Sequence, residues 1–238
     1  MGKDVTIAGA EGARFSAFIA EPQAAKAPGL VLLQYICGVN RVMRNIAEDF
    51  AARGFLVAVP DLFWRQEPNV QLINDPTSPL PDEQKRAMAL NAGFDDDKAI
   101  LDIAGTIDWL RANARCSVKV GALGYCLGGR MAYFAATRTD ADCSIGYYGV
   151  NIEKHLDEAR QIKKPLMLHI GGRDPLSSDE GRAAIEKVLG SNPLVKLYVY
   201  PDAGHAFVHL PGPNYRVDDA KAANERSLAL LKDCLGTG

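Results

Sequence analysis

Short apolar runs that read as buried β-strands alternate along this chain with stretches whose apolar residues recur at helical spacing. That alternation restricts the fold to a mostly parallel sheet with helices on its faces, an α/β architecture. Residues 29–35 (GLVLLQY) are almost continuously apolar, as a strand covered on both sides must be. They lead into a helix with Met43, Ile46, Ala47 and Phe50 on one stripe, stopped by Gly54. Further strands are predicted at 55–59, 118–123, 143–148, 165–170 and 195–200, with 14–20 alternating as an edge strand would. Helices are predicted at 82–92 and 96–112, directly after Cys126, between the later strands, and at 217–234. The expectation is one α/β domain over residues 1–238, with seven or eight mostly parallel strands and helices on both faces. Residues 65–81 break the rhythm with Pro68, Pro76, Pro79 and Pro81, and read as a long loop or lid beside a site.

Composition narrows the function classes. With 27 Lys and Arg against 29 Asp and Glu, the net charge is −2, which argues against nucleic acid and against a polybasic membrane anchor. The longest apolar stretch, 29–39, contains Gln34 and falls well short of the roughly 20 residues of a spanning helix. The start, MGKDVTIAGAEG, lacks the apolar core of a secretory signal. Five cysteines, odd in number, dispersed and without CxxC, suit a thiol protein of a reducing compartment, so a cytoplasmic location is expected. No histidine lies at ligand spacing with a cysteine, so no metal site is expected.

The sharpest chemical signal is Gly124-Tyr125-Cys126-Leu127-Gly128-Gly129, between the strand-like KVGAL and a helical pattern. This is the spacing of a nucleophile elbow with cysteine in the nucleophile position. The turn is tight, so flanking glycines are needed where chain passes close by. The helix that follows supplies unpaired N–H groups and a positive dipole end, which favour a thiolate and a developing oxyanion. A nucleophile needs a base, and the base an orienting group. After an elbow the chain order is acid then histidine, which selects Asp174 in GGRD and His205 in AGH, each just beyond a predicted strand. Asp202 competes for the acid role but lies too near His205 in sequence. The oxyanion donors are expected to be the N–H of Leu127 and, from the loop Tyr35-Ile36-Cys37-Gly38, that of Ile36. Cys37 lacks a glycine-flanked elbow and reads as packing.

On these residues the chain resembles the dienelactone hydrolase family (carboxymethylenebutenolidases) over nearly its whole length. The matching stretches are GVN at 38–40, PDLFWRQ at 60–66, DEQKR at 82–86, VGALGYCLGG at 120–129 and GYYGV at 146–150. GGRD at 171–174, AGHAF at 203–207 and ANERSL at 224–229 complete them. The resemblance implies a cysteine triad that opens the lactone of a small dienelactone to maleylacetate, without metal or organic cofactor. It implies Cys126 as nucleophile, His205 as general base and acid, Asp174 as orienter, and Arg86 as the group that grips a substrate carboxylate. Two positions depart from the family. Tyr35 stands where the family places a glutamate that helps to deprotonate the cysteine, and His209 where it often has an arginine paired with that glutamate. Losing one member alone would strand a buried charge at a cost of about 3–5 kcal/mol, so the joint replacement is expected to reflect one shared pocket. Tyr35 and His209 are therefore expected to line the substrate site and to tune thiolate activation and substrate choice.

The expected activity is hydrolysis of a small lactone or ester bearing a carboxylate, through a thioester, by a monomer or weak homodimer. A carboxylesterase or thioesterase of broader range, a non-catalytic ligand binder and a thiol redox sensor using Cys126 with Cys37 stand beside it as alternatives.

Overall fold

Continuous apolarity puts β3 (Ala27–Leu33) at the centre, since all seven of its residues are buried. It runs parallel to β4 (Leu56–Pro60) on one side and β5 (Cys116–Tyr125) on the other. β6 (Cys143–Tyr147), β7 (Leu166–Gly171) and β8 (Val195–Tyr200) extend the parallel array beyond β5. Beyond β4, β2 (Arg14–Ala20) and β1 (Lys3–Ala8) are antiparallel, giving the order β1-β2-β4-β3-β5-β6-β7-β8. This computed structural model describes residues 2–73, 80–209 and 212–236.

Alternate side chains of the central strands feed two apolar layers, as the period of two in a strand requires. Val31, Leu33, Val120 and Ala122 face α3 (Asp96–Ala112), α4 (Leu127–Arg138) and α5 (Asp179–Leu189). Leu30, Leu32, Leu123 and Ile145 face α1 (Arg41–Ala52) and α6 (Val217–Leu235), and α2 (Pro81–Ala92) joins that layer through Ala87 and Leu90. Helix starts follow their caps: Asn40 accepts from the Met43 N–H, Asp95 from Lys98 and Ser178 from Gly181. A 3-10 helix, Ile152–Gln161, joins β6 to β7. Among the described residues no helix is long and apolar enough to cross a membrane.

Four expectations need correction. The strand expected at 29–35 runs Ala27–Leu33, so Gln34 and Tyr35 already belong to the rim loop. Residues 14–20 are not the sheet edge; Lys3–Ala8 is, and it buries only Ile7. β5 begins two residues early, at Cys116, and carries a bulge, with Val118 at φ 83 and the ladder to β3 shifting register between Ala27 and Gly29. Tyr148 lies past the end of β6, with φ 38. Of the proline-rich segment 65–81, residues 74–79 lie outside the described residues. The part before them is pinned to the loop after β3: Val39 N–H donates to Val70 O (3.0 Å), and Leu72 N–H to Cys37 O (2.9 Å).

Candidate active site

The carboxyl ends of the parallel strands form one rim, where loops from β3, β5, β6, β7 and β8 converge, the usual place for a site in an open α/β sheet. At the end of β5 the chain turns straight into α4, and Cys126 is the hinge, with φ 57 and ψ −113. That positive-φ conformation costs a residue with a Cβ about 1–3 kcal/mol, the kind of local strain that clusters at functional sites. The flanking glycines are sterically required. A Cβ at Gly124 would lie 2.1 Å from the Gly128 carbonyl oxygen, and one at Gly128 would lie 2.3 Å from that of Leu33. Cys126 is half-buried, with its own N–H donated to Tyr147 O at 3.0 Å.

Asp174 and His205 reach the same rim from β7 and β8. The bare Gly171 lets the two loops approach, because a Cβ there would meet the Ala203 and Gly204 carbonyl oxygens at 2.8 and 2.9 Å. Asp174 is 4% exposed; its Oδ1 accepts the Leu176 N–H (2.9 Å) and its Oδ2 lies 2.7 Å from His205 Nδ1. One carboxylate oxygen is thus fixed by the turn while the other fixes the imidazole. The Cys126 sulfur acts on the same imidazole and, with Asp174, favours its charged form. Burial disfavours a charged His205, but Asp174 and Cys126 outweigh it and raise its ionisation from 6.5 to about 10. Asp202 plays no part in this chain; it is 53% exposed and paired with Arg173 at 2.7 Å.

The N–H of Leu127, at the first residue of α4, has no acceptor within its helix. That of Ile36 lies in the turn closed by Gly38 N–H to Tyr35 O (3.2 Å) and donates to no group among the described residues.

Tyr35 and His209 meet edge to face, with ring centroids 5.3 Å apart, and His209 also stacks on Tyr125 at 5.8 Å. Both are neutral near pH 7: burial and the neighbouring His205 push His209 down to about 4, and burial pushes the Tyr35 phenol up. The Tyr35 hydroxyl is occupied, accepting from Asn40 Nδ2 (2.7 Å). Asn40 was not singled out from sequence beyond the stretch GVN. Its side chain caps α1, holds Tyr35 and donates to Leu72 O (2.9 Å), and these contacts, up to 32 residues apart, leave no local signature. Cys37 is 5% exposed, its thiol pushed up to about 12 by burial and by the fields of Cys126 and Glu83.

Arg86 occupies a different setting. Its side chain on α2 is half exposed and grips Glu67 with two bonds, Nε to Oε2 at 3.1 Å and Nη2 to Oε1. It makes no hydrogen bond or ion pair with the other expected site residues. A groove of about 710 Å³ between α1 and α6 reaches Tyr125 and His209, but Cys126, Asp174 and His205 do not line it, so it is not where the reacting groups meet.

The dienelactone hydrolase family model matches residues 15–235. A carboxymethylenebutenolidase of Cupriavidus pinatubonensis is 37% identical over 95% of this chain and 95% of its own, and one of Pseudomonas putida is 35% identical over 95% and 94%. A solved dienelactone hydrolase from Anabaena variabilis superposes with a TM-score of 0.70 at 19% identity, covering 99% of this chain and 98% of that one, and shares its fold. With an eight-stranded α/β core and an elbow at the rim, this hydrolase of ester and lactone bonds belongs to the dienelactone hydrolase family.

Proposed function

We propose that the chain opens a small carboxylate-bearing lactone of the dienelactone type by a cysteine triad, through a thioester. The observation that carries this reading is the 2.7 Å bond from Asp174 to His205 beside Cys126 at a strained elbow, with the Cys126 sulfur acting on that same imidazole. His205 holds the proton that Cys126 gives up, and the Cys126 thiolate attacks the acyl carbon to form a tetrahedral intermediate. The N–H groups of Ile36 and Leu127 receive its oxyanion. The intermediate collapses with cleavage of the acyl carbon–oxygen bond, and His205 returns the proton to the departing oxygen. Water activated by His205 then attacks the thioester and restores the thiol. In a lactone the leaving oxygen stays tethered to the acyl group, so recyclisation competes with hydrolysis.

Substrate choice turns on Arg86. A substrate carboxylate must take Arg86 from Glu67, which occupies the guanidinium as an internal carboxylate. One observation favours a second reading, hydrolysis of neutral esters by the same triad: Tyr35 and His209 carry no charge, and Arg86 is engaged by Glu67. Steady-state assays with a carboxylate-bearing lactone and a neutral ester separate the two. If the first holds, Arg86→Met lowers kcat/KM for the lactone about 10–100-fold, the worth of a charge-assisted pair, and leaves the ester within about twofold. Glu67→Gln lowers KM for the lactone alone. Equal effects on both substrates would remove Arg86 from substrate recognition.

A further inference from the structure

Tyr148 combines features that its neighbours lack. It is 3% exposed, yet its hydroxyl has no hydrogen-bond partner among the described residues. The adjacent Tyr147 hydroxyl, equally buried, is satisfied by Ser227, Asn224 and the Ala223 carbonyl. A buried unpartnered hydroxyl is a loss that native structures rarely keep without a use. Tyr148 is also strained, at φ 38.

The position supplies the use. β5 and β6 are parallel with Tyr125 opposite Tyr147, so Cys126 and Tyr148 are the next pair, leaving the sheet side by side with φ of 57 and 38. The backbone ties them there through Cys126 N–H to Tyr147 O and Tyr148 N–H to His169 O (2.7 Å). The Tyr148 ring stands edge to face on His205 at 5.0 Å, the imidazole on which the Cys126 sulfur acts. The groups whose fields reach its hydroxyl are Tyr125, Cys126, Tyr147 and Tyr35. Burial, the largest cause, keeps the phenol protonated, and the fields of these four groups act in the same direction. It is therefore a permanent donor, and the one reacting group among those four is the Cys126 sulfur.

We propose that the Tyr148 hydroxyl is a second hydrogen-bond donor, beside His205, to the Cys126 sulfur once that sulfur has given up its proton. The proposal rests on Cys126 being the nucleophile. A neutral thiol needs no second donor, and the Tyr148 hydroxyl makes no bond in the structure. Ionisation creates the acceptor at the strand end beside Tyr148.

The test is the pH dependence of Cys126 alkylation by iodoacetamide, followed by peptide mass, in the wild-type chain, Tyr148→Phe and Tyr147→Phe. Tyr148→Phe is expected to move the midpoint upward by about one pH unit, so that alkylation well below the midpoint slows about tenfold. Its Tm is expected to stay level or rise, because only an unsatisfied hydroxyl is removed. Tyr147→Phe is expected to lower Tm and leave the midpoint in place. A Tyr148→Phe midpoint equal to wild type, with Cys126 still labelled, overturns this proposal alone, as does a midpoint that moves as far in Tyr147→Phe. If Cys126 shows no selective, pH-dependent labelling in the wild-type chain, the nucleophile reading falls and the proposal with it.

Discussion

Cys126→Ala is expected to lower kcat/KM on any lactone or ester about 10⁴-fold or more while leaving the fold intact, because losing the nucleophile of a triad removes the covalent route and not merely one interaction. The size of the loss distinguishes a nucleophile from a residue that lines the pocket, whose removal costs one or two orders of magnitude. The backbone supplies an independent check. Cys126 holds φ 57, a region glycine enters freely, so Cys126→Gly is expected to gain about 1 kcal/mol of stability over Cys126→Ala while remaining inactive. Thermal denaturation of the two variants beside the wild type reads this directly. A glycine variant no more stable than the alanine variant would mean that the elbow is not strained.

Asp174→Asn is the second large effect. The amide cannot stabilise the imidazolium or hold its tautomer, and a fall of about a thousandfold in kcat is expected. The pH dependence carries a sign. His205 ionises near 10 in the folded chain against 6.5 when free, so its contribution to stability is complete below about 6.5 and is lost as pH rises through about 10. Removing the Asp174 charge lowers the folded-state value. The stability gap between wild type and Asp174→Asn is therefore widest near neutral pH and narrows toward pH 10 and above, and the alkaline limb of the rate profile moves to lower pH. Urea denaturation at a series of pH values, with matched rates, checks both. A gap that widens with rising pH would contradict the assignment of Asp174 as the partner of His205.

The central strands and the site elbow were legible in the sequence for a physical reason: both are dictated locally. A strand buried on two faces has to be apolar throughout, and a turn that threads between neighbouring backbones has to have glycine at Gly124 and Gly128. Asp174 and His205 followed from chain order, because each lies just past a parallel strand, and the structure brings them within 2.7 Å of each other. The edge strand was missed because Lys3–Ala8 buries only Ile7, although Val5 and Ile7 alternate with polar residues as an edge strand requires. What could not be read is what depends on distant partners. Asn40 joins Tyr35 to Leu72, Glu67 occupies Arg86, and the Tyr148 hydroxyl lacks the partners that Tyr147 finds on α6. Tyr35 and His209 stood out as a pair in the sequence; their neutrality depends on burial that only the packed rim creates.

The central claim is that hydrolysis passes through an acyl group on Cys126. The most direct test is acid quench during turnover of a p-nitrophenyl ester, with the nitrophenolate burst and the intact and peptide masses recorded together. The predicted result is a burst approaching one equivalent of enzyme, with the acyl mass on the peptide containing Cys126 and both signals gone in Cys126→Ala. Turnover that survives in Cys126→Ala, or an acyl mass on any other residue, would contradict it.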